Sequence, residues 1–154
     1  MPNTVREEIL QDIKTELSEI SVANGFDNNI QSVSQWDPNG IALQAVPRIV
    51  ITLGSESNDD DAYDLTTCRL TVYITVYSRI DEGSATAADT ALNSLLGDIK
   101  KKLKEDITRG GKAVDTKFLE VETFESVEGQ GEVGLIITTE VHYRHQQTNP
   151  KTVR

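Results

Sequence analysis

A chain of 154 residues accommodates one domain, with a core large enough to need neither disulfide nor metal. Its 25 acidic against 15 basic residues leave a formal net charge of -10, which works against gripping free nucleic acid, because phosphate binding needs clustered cations. The single cysteine excludes an internal disulfide, and no run approaches the roughly 18 apolar residues of a membrane span, so a soluble protein without a membrane partner is expected.

Thr4-Val5-Arg6-Glu7 has the form of a capping box and opens a helix. Ile9, Leu10, Ile13, Leu17 and Ile20 continue it as one apolar stripe of about five turns, and Asn24-Gly25 supplies a left-handed stop. Between Asn28 and Trp36 the pattern supports only a short strand, closed by the turn signal Asp37-Pro38-Asn39-Gly40. Arg48 to Leu53 is a clearer strand, entered through Pro47 and ended by Gly54. Ser55 to Asp64 then carries five acids and no base. A calcium loop would need acids at alternate positions, a central glycine and a terminal glutamate in register, so a solvated hairpin loop is expected instead.

Thr66 to Arg79 alternates strictly. Cys68, Leu70, Val72, Ile74 and Val76 fall on one face, and Thr67, Arg69, Thr71, Tyr73, Thr75 and Tyr77 on the other. Period two in β-branched and aromatic residues predicts a long strand with one face in a core, and it makes Cys68 a buried small hydrophobe. Ser84 or Thr86 can cap a second helix, whose stripe runs Ala88, Leu92, Leu95, Leu96, Ile99, Leu103 and Ile107. Lysines 100, 101, 102 and 104 lie in its last turns, where cations complement the helix dipole, and Gly110-Gly111 ends it. Two strands follow, Lys117 to Val127 alternating loosely and Glu132 to Arg144 alternating well, with Glu128-Gly129-Gln130-Gly131 as their hairpin turn. The fold class expected is therefore α+β, a mixed or mostly antiparallel sheet with two main helices packed on one face. Residues 1–145 form the single domain, and 146–154 a polar, flexible tail with nothing to bury.

Gly129-Gln130-Gly131-Glu132-Val133-Gly134 matches the dinucleotide fingerprint by letters, but a strand follows it where the pyrophosphate needs a helix N-terminus. Along a strand His142 and His145 point to opposite faces and cannot share one metal unless the strand has already ended, and neither has a cysteine nearby, so no metal site is expected. No Walker loop, Gly-x-Ser-x-Gly or His-Glu-x-x-His occurs, and the residues predict neither enzymatic activity nor a cofactor. The face bearing Thr71, Tyr73, Thr75, Tyr77, Thr138, Glu140, His142 and Arg144 suits either a solvated sheet or a contact with another subunit.

The order of helix, proline-entered strand, alternating strand closing on Val76-Tyr77, helix with Asp98-Ile99 and Leu103, and last hairpin closing on Tyr143-Arg144 and Thr148-Asn149-Pro150 resembles the tail terminator, or tail completion, proteins of long-tailed bacteriophages. The similarity runs from about Ala45 to Pro150, and the acidic stretch 55–64 departs from the shortest members. The resemblance implies a virion protein of the tail or neck. Six copies would form a ring that caps the tail tube, halts its growth and presents a joining surface to the head-side connector, while DNA passes through the lumen without specific binding. Tyr73, Tyr77 and Arg144 are then expected at intersubunit contacts, and Asp59, Asp60, Asp61, Asn149 and Lys151 at the ring ends. The alternatives are another neck protein of the same virion, a head–tail connector or head completion factor, and, from other classes, a small enzyme or a metal-binding domain.

Overall fold

The structure, a computed structural model, describes residues 3–36, 46–61, 63–79, 85–125 and 132–153, with the side chains of 85–88 and 132 outside that description. Helix α1 spans Val5–Ser18, and Thr4 caps it by accepting a 3.2 Å hydrogen bond from the Glu7 amide. The helix stops about a turn earlier than its apolar stripe suggests. Ser21 then caps a 3-10 turn over Val22–Asn24, and Gly25, at φ 91, ends that turn rather than the helix. Ile20 nevertheless stays buried with Val5, Ile9, Leu10, Ile13 and Leu17. Helix α2 covers Ala85–Glu105 and buries Leu92, Leu95, Ile99 and Leu103, whereas Ile107 lies past its end and is partly exposed. The expected cap at Ser84 and the turns at 37–40 and 128–131 lie outside the described residues, and Thr86, offered as the other cap, falls inside the helix, which begins at Ala85.

Six strands make one mixed sheet: β1 (Ser32–Gln35), β2 (Arg48–Asp61), β3 (Leu65–Arg79), β4 (Asp115–Glu125), β5 (Glu132–Gln146) and β6 (Asn149–Val153). The order is β1-β2-β3-β5-β4; β1 runs parallel to β2 and every other pair is antiparallel. The fold is α+β, with both helices contributing to the core under one face of the sheet. On β3 the inner residues Cys68, Leu70, Val72, Ile74 and Val76 are all fully buried, and Val133, Leu135, Ile137, Val141 and Tyr143 continue that face on β5. The Thr139 hydroxyl, also buried among them, donates 2.9 Å to the Val72 carbonyl, which removes the cost of an unpaired polar group.

Two sequence expectations change. The acidic stretch after Gly54 is not a loop, since β2 continues through it to Asp61, paired residue for residue with Leu65 to Leu70. A bulge at Gly54-Ser55 resets the register between Leu53 and Glu56, and the hairpin then projects with Asp59 to Asp61 in water. Charge repulsion favours solvent, but solvent is also available to both faces of an extended hairpin. The tail expected to bury nothing instead folds back as β6, with His145 opposite Val153 and Val153 packed against the core. Because β3 occupies one side of β5 up to Gln146, β6 extends the column of β4 on the other side.

Candidate assembly surface

The sheet's outer face is built in rows across the strands. The first joins Arg48, Tyr77, Gly134 and Phe124. With no side chain at Gly134, the rings of Tyr77 and Phe124 meet edge to face at 5.5 Å, while the Arg48 guanidinium lies 3.9 Å over Tyr77. A Cβ at Gly134 would collide with the Phe124 ring and the Val76 carbonyl, so the row depends on that glycine. Arg48 is 1% exposed, and the layer is a small second core outside the sheet.

The next two rows are Val50, Thr75, Ile136, Glu122 and Thr52, Tyr73, Thr138, Glu120. They line a groove of about 510 Å³ among Thr52, Tyr73, Thr75, Glu120, Glu122, Ile136 and Thr138. Its walls are hydroxyls, a tyrosine ring and two exposed carboxylates. Gly54 leaves room for the Tyr73 ring, since a Cβ there would stand 2.7 Å from Cε2. Toward the other end come Thr71 with Glu140 and Lys117, then Arg69 with His142 and Asp115, where His142 Nε2 contacts Glu140 Oε1.

The interface candidates do not form one cluster. Tyr73 lines the groove and is exposed, whereas Tyr77, two rows away, is half covered by its own chain under Arg48. Arg144 lies opposite Thr67, six strand positions from the Tyr73 row, or about 20 Å. Its row contains Asp59, so Arg144 belongs with the hairpin end.

That end collects the remaining candidates. Asp60 accepts from the Thr66 hydroxyl at 2.6 Å and Asp61 from the Thr67 hydroxyl at 3.0 Å. Gln147 bridges from the β5–β6 turn, donating through Nε2 to the Asp61 and Leu65 carbonyls, while the Thr148 amide donates to Asp64. The hairpin tip and the tail are thus one surface carrying Asp59, Asp60, Asp61, Asn149 and Lys151. Tyr63, 98% exposed at φ 70, stands at its apex. An aromatic residue inside an acidic run was the available sequence signal for it.

On the inner side, titratable groups fasten elements together. The Asp98 carboxylate of α2 accepts from the amides of Asp27 and Asn28 at 3.1 and 2.9 Å and from Asn28 Nδ2 at 2.8 Å. Glu56, turned inward by the bulge, accepts 2.5 Å from the buried Tyr143 hydroxyl and faces Arg6 Nη1 at 3.7 Å. Burial, then the Glu56 contact, pushes the Tyr143 phenol up; burial likewise pushes the Cys68 thiol up to about 11. Lys102 meets Glu19 at 3.1 Å and Glu16 at 3.2 Å, joining α2 to the end of α1; burial opposes its charge, but those contacts raise it overall. Arg109, fully buried, donates to the Leu103 and Asp106 carbonyls at the end of α2 and lies 3.4 Å from Asp12 of α1. Burial raises the Asp12 carboxyl against the pull of that guanidinium. Among the described residues no group of three or more His, Cys, Asp and Glu side chains converges as metal ligands would.

No family model matches the chain, and no curated protein does. Among solved structures, it is similar to a chain from the virion of a native gene transfer agent particle, with a TM-score of 0.52 and 17% identity over 84% of this chain and 90% of that one. At that identity the likeness concerns the fold.

Proposed function

We propose that this protein is a structural component of a phage-type virion, without enzymatic activity, and specifically a tail terminator. Copies form a ring, with six the number the family resemblance implies. The ring closes the last layer of tail-tube protein, and its other end meets the head-side connector. The observation that supports the virion assignment is the fold shared, over 84% of this chain and 90% of the other, with a chain of a virion particle, while the terminator role rests on the sequence resemblance. The surface fits such a role. The outer face holds an ordered layer of Arg48, Tyr77 and Phe124 beside a groove that is only partly filled, and the hairpin and tail form a projecting end. With 10 more acids than bases, a lumen lined by this subunit would let DNA slide rather than stick.

The test is addition of the pure protein to growing tail tubes, followed by negative-stain imaging and light scattering. A terminator forms rings on tube ends and fixes tube length. A protein that joins heads to tails while leaving tube length unset is a different neck component. A strict monomer at high concentration that forms no rings even with tubes refutes the proposal.

A further inference from the structure

The outward face of α2 carries a stripe of Asn93, Gly97, Lys100, Lys101 and Lys104, all exposed. Gly97 is unexplained by its own chain. It sits in the interior of a 21-residue helix, where glycine is less favourable than alanine, and an added Cβ would meet nothing within 4 Å. A residue that gives up helix propensity without an internal reason suits close approach from outside. Two further features bear on what approaches. The stripe ends in cations on a chain of net charge -10, of which Lys101 also reaches the Gly25 carbonyl at 3.4 Å and Lys104 the Thr116 carbonyl at 2.5 Å, and the opposite layer presents the groove with Glu120 and Glu122 exposed at one wall and Tyr73 at the other.

Resting on the tail-terminator reading, we infer that the groove of one copy receives the α2 stripe of the next, with Gly97 against Tyr73 and Lys100 and Lys101 facing Glu120 and Glu122. The dimensions agree. Tyr73 and Glu120 share a row two strands apart, about 10 Å. Lys100 and Lys101 lie about one turn beyond Gly97, about 5 Å, and a lysine stem covers the difference. Because the two surfaces differ, the contact is head-to-tail and repeats from copy to copy, as a ring requires. Charge selects the direction: two acidic bodies repel unless their opposite patches meet.

Charge exchange tests the contact. Glu120→Lys with Glu122→Lys, or Lys100→Glu with Lys101→Glu, is expected to weaken self-association by about tenfold or more in sedimentation at low salt. The variant carrying all four exchanges is expected to recover it to within a few-fold. Gly97→Leu is expected to raise the melting temperature of the subunit while lowering association, an opposition that a purely structural glycine would not produce. All these positions are exposed, and circular dichroism establishes that each variant is folded. Pairwise exchanges that leave association unchanged, or a four-fold variant no better than its parents, overturn the inference while rings on tube ends keep the tail-terminator reading. A wild-type chain that never assembles, alone or on tubes, overturns both.

Discussion

Asp98→Ala should destabilise the subunit by about 3 kcal/mol. Asp98 is 4% exposed, and its carboxylate is the shared acceptor for two backbone amides and one side-chain amide in the segment after the 3-10 turn. Hydrogen bonds to a charged group contribute about 1.5–3 kcal/mol each, and an amide left buried without an acceptor costs more than the bond it lost. The full sum is not reached, because Asp27 is exposed and its amide regains water, whereas Asn28 is half-buried and Nδ2 keeps the Ser94 hydroxyl at 3.0 Å. For a chain of this size that loss lowers the melting temperature by about 6–12 °C. Asp98→Asn, which retains one acceptor oxygen, should lose about half as much. Denaturant unfolding followed by circular dichroism measures both, and hydrogen exchange should show the Asp27 and Asn28 amides losing protection ahead of the β3 amides. A loss below about 1 kcal/mol, or unchanged protection at those two amides, would refute the clamp.

Cys68, fully buried with its thiol pushed up to about 11, should stay unreactive toward a thiol reagent at pH 8 and react at once in denaturant; rapid labelling of the native chain would contradict its burial. Asp106 is held below its ordinary value of 3.8 by the Thr108 hydroxyl and by the amides of Gly110 and Thr108. Its stabilising contribution is therefore present above that value and lost as pH falls through the lower folded one, so Asp106→Asn should flatten the acid side of a stability–pH curve. Gly134→Ala should cost about 1–3 kcal/mol through overpacking against Phe124 and the Val76 backbone, read as a lower denaturation midpoint. Tyr77→Ala should lower subunit stability because it uncovers Arg48 and Phe124, whereas Tyr73→Ala, at a residue 37% exposed, should cost less; equal effects would argue against the layered outer face.

Local chemistry decided the elements. Strict alternation from Cys68 to Val76 could satisfy only a strand buried on one face, and the spacing from Leu92 to Leu103 only an amphipathic helix, so the α+β class was legible without coordinates. The Thr4 cap was legible for the same reason, being a contact within one turn. What the sequence could not determine were contacts between distant segments. Whether Ser55 to Asp61 forms a loop or a hairpin depends on Leu65 to Leu70 standing opposite, and the bulge at Gly54-Ser55 turns Glu56 inward to a partner, Tyr143, that lies 87 residues away. The tail's fold-back joins segments equally remote from one another: Val153 meets the core, and Gln147 reaches carbonyls of the hairpin. Tyr73 and Tyr77 looked equivalent as neighbours on one face; cross-strand register covered one with Arg48 and left the other beside an open groove. Periodicity assigns a side chain to a face, but only pairing decides what stands next to it there.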